Sequence, residues 1–223
     1  MNRNLWGRLQ GARGARWVVL AATTAWAASC GVVQAQTAPA GSVRVEEDWE
    51  LIVSAPDVDD NSPQITCVIA PQDLGGGYLA LDVNCHTQPD YSPGGVQVHV
   101  WSPNSAMLVA NSDATTMLQT ANETISWTTR MSLTPGECLT FKILKGASAT
   151  WGDFTDDGKL SLSVATTLQD LSGYSPAVSI QNSGVPYASN RVTSLTLKAI
   201  RWYSAAGVLL QQNASPQAVY PKN

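Results

Sequence analysis

Three residues on one strand-like segment have the chemistry to hold a sugar or a similar polar ligand. In Val96–Trp101, the valines 96, 98 and 100 alternate with Gln97, His99 and Trp101. In a strand, that alternation turns the polar three away from the core. A flat indole offers a stacking surface, and a planar amide and an imidazole offer hydrogen-bond donors and acceptors. The same parity puts Ser126, Thr128 and Arg130 outward along Thr124–Leu133, with Ile125, Trp127, Thr129, Met131 and Leu133 inward. It leaves Arg201 and Tyr203 on the polar side of Arg191–Tyr203. The expectation is a polar sheet face on which Gln97, His99, Trp101, Arg130, Arg201 and Tyr203 bind ligand. An ordinary solvated sheet face carries the same pattern, and that plainer reading stands beside it.

Other chemistries fail on inventory. There is no GxSxG, no HExxH and no glycine-rich loop opening a helix, so hydrolase elbows, zincin sites and phosphate loops are excluded. His86 and His99 are the two histidines, too few for an imidazole-built metal cluster. Asp57-Val58-Asp59-Asp60-Asn61 has oxygens at positions 1, 3 and 5 but lacks the glycine and glutamate of an EF-hand loop.

These side chains need strands to hold them. Period-2 alternation broken by Gly, Pro, Asn and Asp predicts strands over 44–54, 64–70, 78–84, 96–101, 106–110, 123–132, 137–144, 159–165, 177–180, 191–203 and 208–211. A helical turn is the reading for Thr115–Gln119. In the long late strand the apolar parity shifts from Leu195 and Leu197 to Ile200 and Trp202, which predicts a β-bulge near Lys198-Ala199. Trp49, Trp127 and Trp202 alternate with apolar neighbours and belong to the core. Cys67 and Cys85 flank Gly75-Gly76-Gly77 symmetrically, so a hairpin turning there sets them opposite each other as a disulfide or as two buried thiols. Cys138 is left odd.

The N-terminus reads as an export signal over residues 1–35. Arg3, Arg8, Arg13 and Arg16 precede an apolar stretch from Trp17 to Ala28, and Val33-Gln34-Ala35 is a small-residue cleavage site. Ala27-Ala28-Ser29-Cys30 offers the alternative of a lipid anchor through Cys30. The product is secreted or periplasmic, with no membrane span after cleavage. The whole chain of 223 residues has 13 basic and 17 acidic side chains. All four signal arginines lie before the cleavage site and no acid does, so the exported form is more acidic still. Nucleic acid is excluded as a partner on that ground. The layout is then a short linker at 36–42, one domain at 43–212 and a tail at 213–223.

Long strands with Ser/Thr-rich outer faces, Thr150-Trp151-Gly152-Asp153-Phe154 and the run Asn190–Leu197 resemble the concanavalin A-like lectin/glucanase superfamily. The resemblance implies an all-β fold, a two-layer antiparallel β-sandwich of jelly-roll type. It also implies sugar bound on a sheet face or the loops at its edge. Glucanases of that superfamily carry Glu-x-Asp-x-x-Glu on one strand. The nearest match is Glu46, Asp48 and Glu50, with the spacing wrong by one, so a charged strand competes with a glycosidase reading. Such domains often hold a structural calcium, which Asp153, Asp156 and Asp157 would ligate here, unless they are solvated turn residues. The expectation is an exported non-catalytic module that binds a glycan or another extracellular ligand. The alternatives are a structural or surface-interaction protein and a glycoside hydrolase.

Overall fold

Ten residues from Arg44 to Val53 form the strand on which the larger sheet is built. Val45, Glu47, Trp49, Leu51 and Val53 point inward, and Glu46, Asp48 and Glu50 point out. The computed structural model describes residues 38–55, 65–69, 78–83, 95–102, 105–116, 118, 120–174 and 192–221. The export signal expected at 1–35, Cys30, the acids of 57–61, Cys85, His86, the triple glycine and the strand expected at 177–180 lie outside the described residues.

The described strands are β1 (Arg44–Val53), β2 (Ile65–Ile69), β3 (Tyr78–Val83), β4 (Val96–Ser102), β5 (Ser105–Asn111), β6 (Thr124–Thr134), β7 (Cys138–Ser148), β8 (Gly152–Asp153), β9 (Ser161–Ala165), β10 (Val192–Tyr203), β11 (Leu209–Asn213) and β12 (Gln217–Tyr220). They make an all-β, two-layer antiparallel sandwich. The larger sheet runs β11-β10-β1-β6-β7-β8, with β12 also on β10 and β9 also on β7. The smaller runs β2-β3-β4-β5. The chain therefore leaves the larger sheet after β1, builds the smaller one as a meander and returns at β6. No helix occurs among the described residues, including those of 115–119, and none there is long and apolar enough to cross a membrane.

Two irregularities aim the side chains. Asp48 pairs with Ala199 but Trp49 pairs with Leu197, so Lys198 is the extra residue of a β-bulge where the parity shift predicts one. Without it, Arg201 and Tyr203 would point into the core. With it, Ile200 and Trp202 are buried, and Arg201 and Tyr203 face out. The second bulge lies in β7, where Ser126 faces Ala147 and Thr128 faces Leu144. Lys145 there takes a φ of +51°. Gly146 follows, and a Cβ on it would stand 2.3 Å from the Phe154 ring.

The core joins both sheets. Leu79, Leu81, Val83, Val96, Val98 and Val100 of the smaller sheet meet the inward residues of β1, β6, β7 and β10. Trp49 and Trp127 stack at 6.4 Å between centroids and 15° between planes. Both are 2% exposed.

One expected pairing is corrected by the register. The β2–β3 register sets Cys67 opposite Leu81, not Cys85. The tail holds β12, whose Val219 is in the core. The linker is tied down as well: Ala38 is buried and its N–H donates to Tyr174 O at 3.0 Å.

The Trp pair generates the first prediction. Trp127→Ala removes a fully buried ring and its stacking partner's contact surface, and should cost about 3–5 kcal/mol. Urea unfolding should show a lower midpoint with an unchanged slope.

Candidate functional site

The six residues expected on one face are divided between the two outer faces of the sandwich. Arg130 and Arg201 with Tyr203 stand on the outer face of the larger sheet. Gln97, His99 and Trp101 stand on the outer face of the smaller one. The core lies between these groups, so they cannot share a ligand. Parity along a strand fixes which side of its own sheet a residue takes, but it does not say which sheet the strand joins.

On the larger sheet, β1 sits between β6 and β10, and its three outward carboxylates meet the cations of those neighbours. Arg201 grips Asp48 through both ends of its fork, with Nη1 to Oδ2 and Nη2 to Oδ1 both 2.6 Å. Thr128 Oγ1 donates to the same carboxylate at 2.8 Å. Arg130 donates to Glu46 Oε1 from Nε at 2.9 Å, with Nη2 at 2.8 Å from the same oxygen. Tyr203 OH donates to Glu46 Oε2 at 3.3 Å, and the Arg44 guanidinium lies 3.9 Å over the Tyr203 ring. Lys198, displaced by the bulge, reaches Glu50 at 3.2 Å.

Burial alone would raise the Asp48 carboxyl. The hydrogen bonds from Arg201 and Thr128 and the charges of Arg201 and Lys145 outweigh it and hold the group below its ordinary value. The Arg201 guanidinium is raised, first by its hydrogen bonds to Asp48. Glu46, Asp48 and Glu50 are thus each engaged by a cation. The arginines expected to hold ligand are spent on these carboxylates.

On the smaller sheet, β3 and β4 place Asp82, Gln97, His99 and Trp101 on one face, and β5 adds Val109 and Asn111. His99 Nδ1 is 2.7 Å from Asp82 Oδ2, and the Asp82 side chain is 1% exposed. The imidazole thus lies at ion-pair distance from a buried carboxyl. Gln97 Nε2 donates to Asn111 Oδ1 at 2.7 Å, aligning two planar amides. Trp101 and Val109 are 39% and 40% exposed. The row therefore runs from buried and polar at Asp82 and Gln97 to open and aromatic at Trp101.

Ser112, Asp113, Trp151, Asp153, Asp156 and Asp157 line a third feature, a shallow cavity of about 220 Å³. Thr150–Trp151 form a turn there and Gly152–Asp153 pair with β7. Two of its carboxylates are engaged within their own turns. Asp153 Oδ1 accepts from Thr155 N and Oγ1, both at 2.9 Å, and Asp157 Oδ1 accepts from Lys159 N at 2.9 Å. Lys159 Nζ also bridges to Asp113. Among the described residues no three His, Cys, Asp or Glu side chains gather to hold a metal.

Two residues escape the sequence reading. Asp82 lies outward on β3 beneath His99, a cross-strand neighbour visible only once β3 and β4 pair. Glu47 shares the parity of Val45 and Trp49, so the alternation itself points it into the core. Its carboxyl is fully buried, with Trp49 Nε1 donating to Oε2 at 3.2 Å and Tyr174 OH donating to Oε1.

No family model and no curated protein matches the chain. Two solved structures of scytalido-glutamic peptidase are similar in part. The one with a peptide-based transition-state analogue gives a TM-score of 0.36 at 8% identity, covering 82% of this chain and 85% of that one. The one with a transition-state analogue inhibitor gives 0.29 at 9%, covering 81% and 84%. Likeness at that level carries no argument about activity.

The ionic face gives the second prediction. Arg201→Met strips Asp48 of its fork and should cost about 1–3 kcal/mol at pH 7. Because the Asp48 pKa is depressed in the folded state, the stability it contributes is present above the ordinary carboxylate range. It is lost as pH falls through the folded value. The gap between wild type and Arg201→Met should therefore narrow in thermal melts taken towards pH 2.

Proposed function

We propose that this chain is an exported, non-catalytic module that binds a glycan or another extracellular ligand on the outer face of the smaller sheet. The observation that carries this reading is the row Asp82–His99–Trp101. It combines a buried carboxyl 2.7 Å from an imidazole, a hydrogen-bonded pair of amides alongside and an exposed indole at the end. Sugars are held by that combination: planar polar groups take the hydroxyls and an aromatic face takes the ring's C–H surface. The sugar-binding habit of the concanavalin A-like superfamily, which the sequence pattern resembles, favours the same reading. The larger sheet's outer face is left to stability, since its arginines are occupied by its own acids.

A second reading is an assembly or surface-interaction role. It is favoured by Val208, Leu209 and Leu210, which are 59%, 46% and 40% exposed. The last two lie on β11, the outermost strand of the larger sheet among the described residues. An uncharged apolar edge of this kind is a pairing hazard unless something uses it.

A glycan array with the purified protein, run with calcium and then with chelator, separates the two. The binding reading predicts saturable binding to one sugar class, weakened about tenfold or more by Trp101→Ala, equivalent to about 1.4 kcal/mol. Arg130→Ala should leave it unchanged. Loss of binding with chelator would bring the Asp153–Asp157 loop into the site. No binding under either condition would reject the glycan form of the proposal and favour the assembly reading.

A further inference from the structure

Glu47 is a buried acid that meets no base among the described residues. Its inward neighbours on β1 are Val45 and Trp49, and its cross-strand partners are Thr129 on β6 and Ile200 on β10. The inward residues of β3 and β4 are Leu79, Leu81, Val83, Val96, Val98 and Val100. Among the described residues the titratable group that meets it is the Tyr174 phenol, and no ion pair is recorded to its carboxyl. Glu46 and Asp48, with their arginines, lie on the opposite face of the same strand. An ionised carboxylate held by neutral donors alone in such a core is costly, whereas a protonated one is not.

Tyr174 ties that carboxyl to the chain's periphery. Its own N–H donates to Leu171 O at 2.9 Å, its carbonyl accepts from Ala38 N at 3.0 Å, and Leu171 N donates to Ser42 O at 2.7 Å. The phenol thus anchors a turn at 171–174, and that turn holds the segment 38–42 against the sandwich.

We infer that Glu47 and Tyr174 form a latch that holds segments 171–174 and 38–42 closed in acid and loosens them at neutral pH. Burial raises the Glu47 carboxyl from 4.5 to about 7, with the Tyr174 and Trp49 hydrogen bonds offsetting only part of the rise. Once the latch opens, water reaches the carboxyl and its ordinary value returns. The closed state then binds the proton more tightly than the open one. Closure is strongest below about 4.5 and weakens up to about 7. Over that window the opening equilibrium should grow about tenfold per pH unit, roughly 300-fold in all, and level off above it.

Hydrogen exchange on the full chain tests this, with rates corrected for the intrinsic pH dependence of exchange. The amides of Ala38, Leu171 and Tyr174 should lose protection between pH 5 and pH 8, while those of β6 keep theirs. Glu47→Gln, the uncharged isostere, should remove the pH dependence. Equal protection at both pH values in the wild type would overturn the inference, and so would a fall that persists in Glu47→Gln. If that variant does not fold, the wild-type profile decides: the fall must lie between about pH 4.5 and 7.

Discussion

The central strand of the larger sheet carries four acids, three on its outer face and one in the core, and the fold depends on how they are disposed. Glu46, Asp48 and Glu50 share one face of β1, close enough to repel one another across a strand repeat of about 7 Å. They are tolerated because β6 and β10 flank β1 and bring Arg130, Arg201 and Lys198 over them. That arrangement requires the bulge at Lys198. One extra residue turns Arg201 and Tyr203 outward to the acids and at the same stroke turns Ile200 and Trp202 into the core. Charge neutralisation outside and packing inside are thus set by a single backbone irregularity.

The two outer faces differ in how their polar groups are engaged. The larger sheet's face is saturated by its own ion pairs. A ligand there would have to displace charge-assisted hydrogen bonds as short as 2.6 Å. The smaller sheet's face holds a buried acid, Asp82, opposite the buried amide of Gln97 and diagonal to the His99 imidazole, and it exposes the Trp101 indole and Val109. Its polar groups are oriented without being neutralised by a lattice of arginines. That is the physical ground for placing recognition there.

Much of this was legible in the sequence, because strand parity is local. The inward and outward sets of β1, β4 and β6, the burial of Trp49, Trp127 and Trp202, and the bulge at Lys198 all follow from period-2 alternation. Non-local facts were not. The symmetric placing of Cys67 and Cys85 about the glycines at 75–77 points to a pairing of the two, yet the β2–β3 register sets Cys67 against Leu81. Assigning Arg130 and His99 to different sheets needs the order of strands, which no single segment encodes. The strand at Gln217–Tyr220 falls within the expected tail, because four residues beside a proline carry too little alternation to signal a strand. The parity of Glu47 points it inward, but its flanking acids Glu46 and Asp48 give the segment the pattern of a charged face.

The central claim, that recognition belongs to the smaller sheet, is tested most directly by backbone amide NMR during titration with a bound saccharide. The account predicts shift changes concentrated at Gln97, His99, Trp101, Val109 and Asn111, with Glu46, Arg130 and Arg201 unmoved. Changes centred on Glu46, Asp48, Arg130 and Arg201 would contradict it and put the binding face on the ion-paired sheet.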